Sequence, residues 1–353
     1  MHICRRTVLA ALAASPVLAA LPVQPSLTRR ELRVTTADGV HIRVRELKPV
    51  AAAEGDPLLL IHGARVPGVG SFDLDVPNGS LAADLALRLN RRTYIMDARG
   101  YGGSDRPPAM ERPPPESRPL SRAYEVVRDI DAVISTTTRL VGSTQADLVG
   151  WATGGAWAAY YASLWPERVA HLVTLNALYG AATPHSYLGR TSSSADPAHP
   201  DRLSPEIGAY ALYTGASLLP SWDRSIPEDD KTLWRDPAIV TAYVAAALGS
   251  DPQSSRHDPA AFRAPLGAIE DSFYQAAGRR LYDASSITAH ALVVRSERDF
   301  WSRPEDATSF VHDAVRAKST RILTIPDATH FVHLDRPQRG RDLLLREIAA
   351  FLQ

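Results

Sequence analysis

From Glu31 to Leu47 polar and apolar side chains alternate, ELRVTT and then VHIRVREL, on either side of Ala37-Asp38-Gly39. A period of two turns one face of a strand to the core, and the Asp-Gly pair supplies a turn, so the segment predicts a β-hairpin. The run Leu58-Leu59-Leu60-Ile61, ahead of His62-Gly63, has no polar alternation and predicts a strand buried on both faces. Ser80 followed by LAADLALRLN has helical spacing behind a serine N-cap. The alternation then continues with a strand from Arg92 (RTYIMDARG), a helix from Ser121 to Leu140, a strand from Ala146 to Trp151, a helix from Gly154 to Trp165 and a strand from Arg168 to Asn176. Strands alternating with helices predict an α/β fold, a mostly parallel, doubly wound sheet covered by helices on both faces.

The rhythm stops near Tyr179. Residues 180–285 are rich in Ser, Pro, Asp and aromatics, with short helical stretches such as Ala238-IVTAYVAAAL. It resumes at Ala289-HALVVRSERD, followed by a helix from about Pro304, a strand from Thr320 to Ile325 and a last helix from Gln338. Ser302 and Glu305 have capping-box spacing. The expected organisation is one core, 31–178 and 286–353, interrupted by a helical cap at 179–285. The proline-rich stretch from Gly100 to Pro119 is expected to run over the surface.

Composition narrows the functional classes. The 353 residues carry 39 basic and 39 acidic side chains, so the formal net charge is zero. That removes the broad attraction that nucleic acid or an anionic membrane surface requires. With Cys4 as the single cysteine, a disulfide framework and a CxxC metal or redox site are both excluded. No HExxH, no Cys/His cluster and no P-loop occurs, so neither a metal nor a nucleotide cofactor is expected. The expected partner is a small-molecule substrate or ligand, and the oligomeric state is left open.

The first residues read as an export signal. MHICRR is basic, Thr7 to Leu21 is apolar, and Val17-Leu18-Ala19 offers the small-residue spacing of a cleavage site. Arg5-Arg6 gives it the twin-arginine type. Removal of residues 1–20 would leave a periplasmic or secreted chain without cysteine and without a stable membrane insertion.

Candidate chemistry centres on Gly150-Trp151-Ala152-Thr153-Gly154 at a predicted strand-to-helix junction. A G-x-S-x-G elbow holds its nucleophile on a turn too tight for side chains two residues either side, which Gly150 and Gly154 satisfy. Three further pieces follow the order such an elbow requires. His62-Gly63-Ala64 ends an early strand, where a backbone N–H can join that of Thr153 as an oxyanion hole. Asp299 ends a later strand, as a candidate acid, with Glu297 and Asp327 as rivals. His330 follows the last one. His62 reads as a structural hydrogen-bonder beneath the oxyanion loop, Trp151 as a pocket wall and His333 as a helix-edge residue.

With LLLIHGA, the Asp97-Ala-Arg99-Gly100-Tyr-Gly102-Gly103-Ser104 loop, the elbow, SERD and ATHFVHLDRP in this order, the chain resembles the α/β-hydrolase superfamily, of the capped, AB-hydrolase-1-like kind, over about residues 31–353. The resemblance implies cofactor-free hydrolysis of ester, lactone, amide, epoxide or carbon–carbon bonds, with His330 and Asp299 as two members of a triad. The chain departs from the pattern at Ala152, which stands where the nucleophile belongs and has no group to attack a carbonyl.

Three readings of that alanine stand side by side. It is an engineered Ser-to-Ala variant of an ordinary serine hydrolase; or it is native, with His330–Asp299 acting as a general base; or the chain is a catalytically inactive pseudo-hydrolase binding a small apolar ligand. Charge balance and the aromatics Tyr210, Tyr213, Trp222, Trp234, Phe273 and Tyr274 point to a small neutral ester or related carbonyl compound as substrate.

Overall fold

In the computed structural model, residues 27–53 and 55–353 are described; the expected export signal lies outside the described residues. The hairpin forms as expected: β1 (Leu27–Thr35) pairs antiparallel with β2 (His41–Pro49), Thr35 opposite His41. Next come β3 (Leu58–Ile61), the short α1 (Gly68–Phe72), α2 (Leu81–Leu89) and β4 (Thr93–Met96). All four residues of β3 are buried, as the unbroken apolar run requires of a strand covered on both faces. Ser80 caps α2 by accepting from the Ala83 N–H at 2.9 Å.

After α3 (Ala123–Val141), β5 (Ala146–Trp151), α4 (Thr153–Leu164) and β6 (Val169–Leu175) comes a different pattern: β7 (Tyr210–Thr214), α5 (Gly215–Asp223), α6 (Pro237–Gly249), β8 (Ala261–Pro265) and α7 (Gly267–Ala276). The regular rhythm returns with β9 (His290–Ser296), α8 (Pro304–Asp313), β10 (Ser319–Ile325) and α9 (Arg341–Phe351). The eight-stranded sheet has the order β1-β2-β4-β3-β5-β6-β9-β10. Every pair from β4 to β10 is parallel; β2 is antiparallel to both neighbours.

Three expectations are corrected. The segment between β6 and β9 is not purely helical, because β7 and β8 form a two-stranded antiparallel sheet. Its last helix, α7, reaches back to α3, where Asp271 accepts from the Arg122 Nε and the Ala123 N–H, both at 2.6 Å.

The Gly100–Pro119 stretch is only partly on the surface. Tyr101, Ser104 and Met110 are buried, because the loop folds around the Asp97 carboxylate, which accepts from the Gly68 and Gly103 N–H groups.

The cap at α8 sits one residue along and is one-sided: the Asp306 carboxylate accepts from the Arg303 N–H at 3.0 Å. Ser302 is left free for another bond, described below.

Candidate active site

The elbow owes its shape to crowding. Ala152 lies between β5 and α4 with φ 53° and ψ −121°, a conformation L-residues rarely adopt. A Cβ on Gly150 would overlap the Gly154 carbonyl, and one on Gly154 would overlap the Ile61 and His62 carbonyls. Only glycine lets α4 start this close to β5 and β3. The turn presents Ala152 and Thr153 to a cavity of about 60 Å³, whose wall also includes Ala64, Trp151 and His330. That is room for about two waters at ~30 Å³ each, in a cavity only partly enclosed, so a longer ligand extends through its mouth.

The two candidate oxyanion donors reach the same cavity. Among the described residues, neither the Ala64 nor the Thr153 N–H donates to a protein acceptor. The Ala64 N–H belongs to the peptide whose carbonyl, on Gly63, lies 2.6 Å from His62 Nδ1. A trans peptide points its N–H away from its C=O, so a carbonyl held by His62 turns the Ala64 N–H the other way. His62 Nε2 accepts from the Ala98 N–H at 3.1 Å. With one nitrogen donating and the other accepting, the ring is neutral, and complete burial pushes its pKa down. The Tyr101 hydroxyl lies 2.9 Å from the Ala64 carbonyl oxygen and 3.2 Å from that of Pro265, linking the loop to β8.

His330 Nδ1 lies 2.6 Å from Asp299 Oδ1. Asp299 ends the turn after β9, and its other contacts are all donors: the Trp301 N–H at 3.0 Å, the Ser302 N–H at 2.8 Å and the Ser302 hydroxyl. Donors on each side fix the carboxylate in direction. The rival acids stand elsewhere. Glu297 accepts from the Asp327 N–H, and Asp327 pairs with Arg298 and Arg339.

The His330 backbone is fixed as well, its carbonyl accepting from Trp151 Nε1 at 3.0 Å and from Asn176 Nδ2 at 3.1 Å. Asn176, just past β6, also bonds Ser296 through both ends of its amide. Sequence reading places Ser302 only as a helix cap and gives Asn176 no role; for Asn176 the one available signal is a polar residue directly after a buried strand.

Two side chains differ from expectation. His333 is no helix-edge residue; it is fully buried, 4.4 Å from the Trp151 ring, with no hydrogen-bond partner on either nitrogen among the described residues. Burial and the neighbouring His330 and Arg341 lower its pKa well below the ordinary value, so it is neutral. The six aromatics expected at the substrate do not line the cavity either. Trp222 stacks on Phe331 at 4.8 Å, and Trp234 Nε1 donates to the Asp327 carbonyl. Large rings gain most where two layers exclude water, which here is the seam between α5 and the His330 segment.

Among the described residues, no group of three or more His, Cys, Asp or Glu is placed to hold a metal ion, and no helix is long and apolar enough to cross a membrane.

No curated protein matches this sequence. Solved structures do. The thioesterase domain from the curacin biosynthetic pathway is 16% identical with a TM-score of 0.55, covering 92% of this chain and 100% of its own. Epoxide hydrolases from metagenomes of hot environments give 18% and 0.55, covering 92% and 99%. A serine-to-alanine mutant of the meta-cleavage product hydrolase from Pseudomonas fluorescens, complexed with acetates, gives 17% and 0.55, covering 91% and 97%. At such identity these neighbours speak for the fold alone. The family model described as alpha/beta hydrolase fold matches residues 56–337, from two residues before β3 to the turn before α9. With the parallel sheet, the elbow at β5 and the histidine after β10 all inside that span, the chain belongs to the alpha/beta hydrolase family.

Proposed function

We propose that the protein hydrolyses a small ester or related carbonyl compound by general-base catalysis, with a water standing where other members of the family carry a nucleophilic hydroxyl. The observation that supports this most is the Asp299–His330 pair. Its two side chains are almost fully buried, yet the imidazole opens onto the cavity that Ala152 shares with two unpaired backbone N–H groups. A buried carboxylate needs donors to offset its desolvation, and one of those that Asp299 takes is the ring that faces the cavity.

In this reading His330 Nε2 takes a proton from water as the water oxygen attacks the carbonyl carbon. The carbonyl π pair moves to oxygen, where the Ala64 and Thr153 N–H groups hold the developing charge. Collapse of the tetrahedral species breaks the bond to the alkoxide, which recovers the proton from His330, releasing acid and alcohol. General-base assistance of this kind contributes about 10²–10⁴ in rate, and no covalent intermediate forms. The leader around Arg5-Arg6 belongs to the same proposal and places the activity outside the cytoplasm.

The test is an ester and lactone panel on the native protein, His330→Ala and Ala152→Ser. Turnover by the native protein, abolished in His330→Ala, with one ¹⁸O from labelled water in the acid and no acyl adduct in the intact mass, is the expected result. Turnover found only in Ala152→Ser identifies a serine hydrolase lacking its nucleophile. Turnover by neither form identifies a binding protein.

A further inference from the structure

The wall of the cavity is apolar or neutral but for His330 and one cation, Arg65, the residue directly after Ala64. The Arg65 guanidinium makes no ion pair among the described residues: the nearest polar contact is from Nη1 to the Ser221 hydroxyl at 3.2 Å. Of the five N–H groups a guanidinium carries, the others find no protein acceptor among the described residues. Most arginines that line the folded core of this protein are treated differently. Arg99 is held by Asp38 and Asp129, Arg263 by Asp251 and Glu111, and Arg122 by Glu270 and Asp271. Arg65 is also held in place without being neutralised: its guanidinium carbon lies 5.1 Å from the centre of the Tyr213 ring, on β7. Stacking on a ring fixes a guanidinium in a plane and leaves its edge to a ligand. The hydroxyl-bearing Tyr243 of α6 and Ser221 of α5 stand on the same wall.

We propose that Arg65 recognises a carboxylate on the substrate, so that the site takes the monoanionic half-ester of a short dicarboxylic acid in preference to a neutral ester. The fork of a guanidinium matches the two oxygens of a carboxylate, and a partly enclosed cavity strengthens the pairing over that in water. Ala64 and Arg65 line the same small cavity, so a carboxylate on the guanidinium edge leaves room for only a short spacer to a carbonyl lodged at the Ala64 N–H. The zero net charge of the whole chain, which suggested a neutral substrate, does not bear on this. A local field is set by the nearest unpaired charge and not by the sum. The proposal deepens the hydrolytic reading and takes from it only the position of the reacting carbonyl.

Binding, not turnover, tests it. Monomethyl succinate and dimethyl succinate are titrated against the full chain by calorimetry and by intrinsic tryptophan fluorescence, on native protein, Arg65→Gln and Arg65→Lys, each verified as folded by circular dichroism. The native protein is expected to bind the monoanion at least tenfold more tightly than the diester, with the preference shrinking as salt is raised. Arg65→Gln should erase that preference while changing diester affinity less than twofold, and Arg65→Lys should keep part of it. Equal affinity of the native protein for the two probes, binding of neither, or an equal loss for both in Arg65→Gln overturns the proposal. Preference for the monoanion without any hydrolysis of it leaves Arg65 as the anion site and rejects the hydrolytic reading instead.

Discussion

Trp222 Nε1 donates to Asp335 Oδ1 at 2.8 Å, joining α5 to the segment that carries His330. Asp335 is fully buried, and its other oxygen accepts from the Thr329 hydroxyl and N–H. Burial outweighs these donors and pushes the carboxyl up to about 7. A carboxyl raised in the folded state keeps its proton after the unfolded chain has lost it. From about pH 4 to pH 7 the native protein therefore holds the extra proton, and this group makes stability fall as pH rises. Asp335→Asn should gain stability relative to the native protein between pH 4 and pH 8, by at most about 4 kcal/mol at ~1.4 kcal/mol per pKa unit. Thermal melts of both at the two pH values measure it, and a constant difference refutes it. Asp129 and Asp271, both pushed up to about 6 by burial, remain in the variant and leave a residual slope of the same sign.

Gly150→Ala should be among the most damaging single-methyl additions in the chain, costing about 3 kcal/mol or more, since the new Cβ overlaps backbone that cannot move without displacing α4. Ala152→Gly should behave oppositely. It relieves a positive φ, so its stability should stay within about 1 kcal/mol of the native protein or rise above it. Urea unfolding of the two variants checks the contrast.

If the native protein turns over an ester, the Asp299 neighbourhood sets a graded series. Asp299→Asn removes the charge and mis-sets the His330 tautomer, and kcat should fall by about 10⁴. Ser302→Ala removes one of four donors and leaves the charge, so a loss of about tenfold is expected, that of one hydrogen bond to a charged group. An equal loss in both variants would mean that Ser302, and not the carboxylate, aligns the ring.

Export is testable directly. The native protein isolated from its own cells should begin near Ala20 or Leu21, and replacement of Arg5-Arg6 by Lys-Lys should leave the precursor inside. Intact mass after fractionation reads both outcomes.

Local pattern is legible wherever one residue's neighbours in sequence are also its neighbours in space. The β1–β2 hairpin, the four buried residues of β3 and the Ser80 cap follow from period and turn chemistry, because each involves contacts within a few residues. Gly150 follows for the same reason, since the crowding it relieves lies within the elbow itself, whereas Gly154 answers to the Ile61 and His62 carbonyls at the end of β3. Other features depend on contacts that no local period encodes. Ser302 is available to Asp299 because α8 starts at Pro304, with Asp306 accepting from the Arg303 N–H, whereas Ser302 reads in sequence as the cap. Asn176 reaches the His330 carbonyl across 154 positions of chain. His333 looks like a polar edge residue until Trp151 and Phe72 close over it. Trp222 and Trp234 look like a ligand lining, yet they seal the seam, because the place where two layers exclude water is decided by how the layers pack. Composition alone could not separate Arg65 from the paired arginines, since pairing depends on which carboxylates the fold brings within reach.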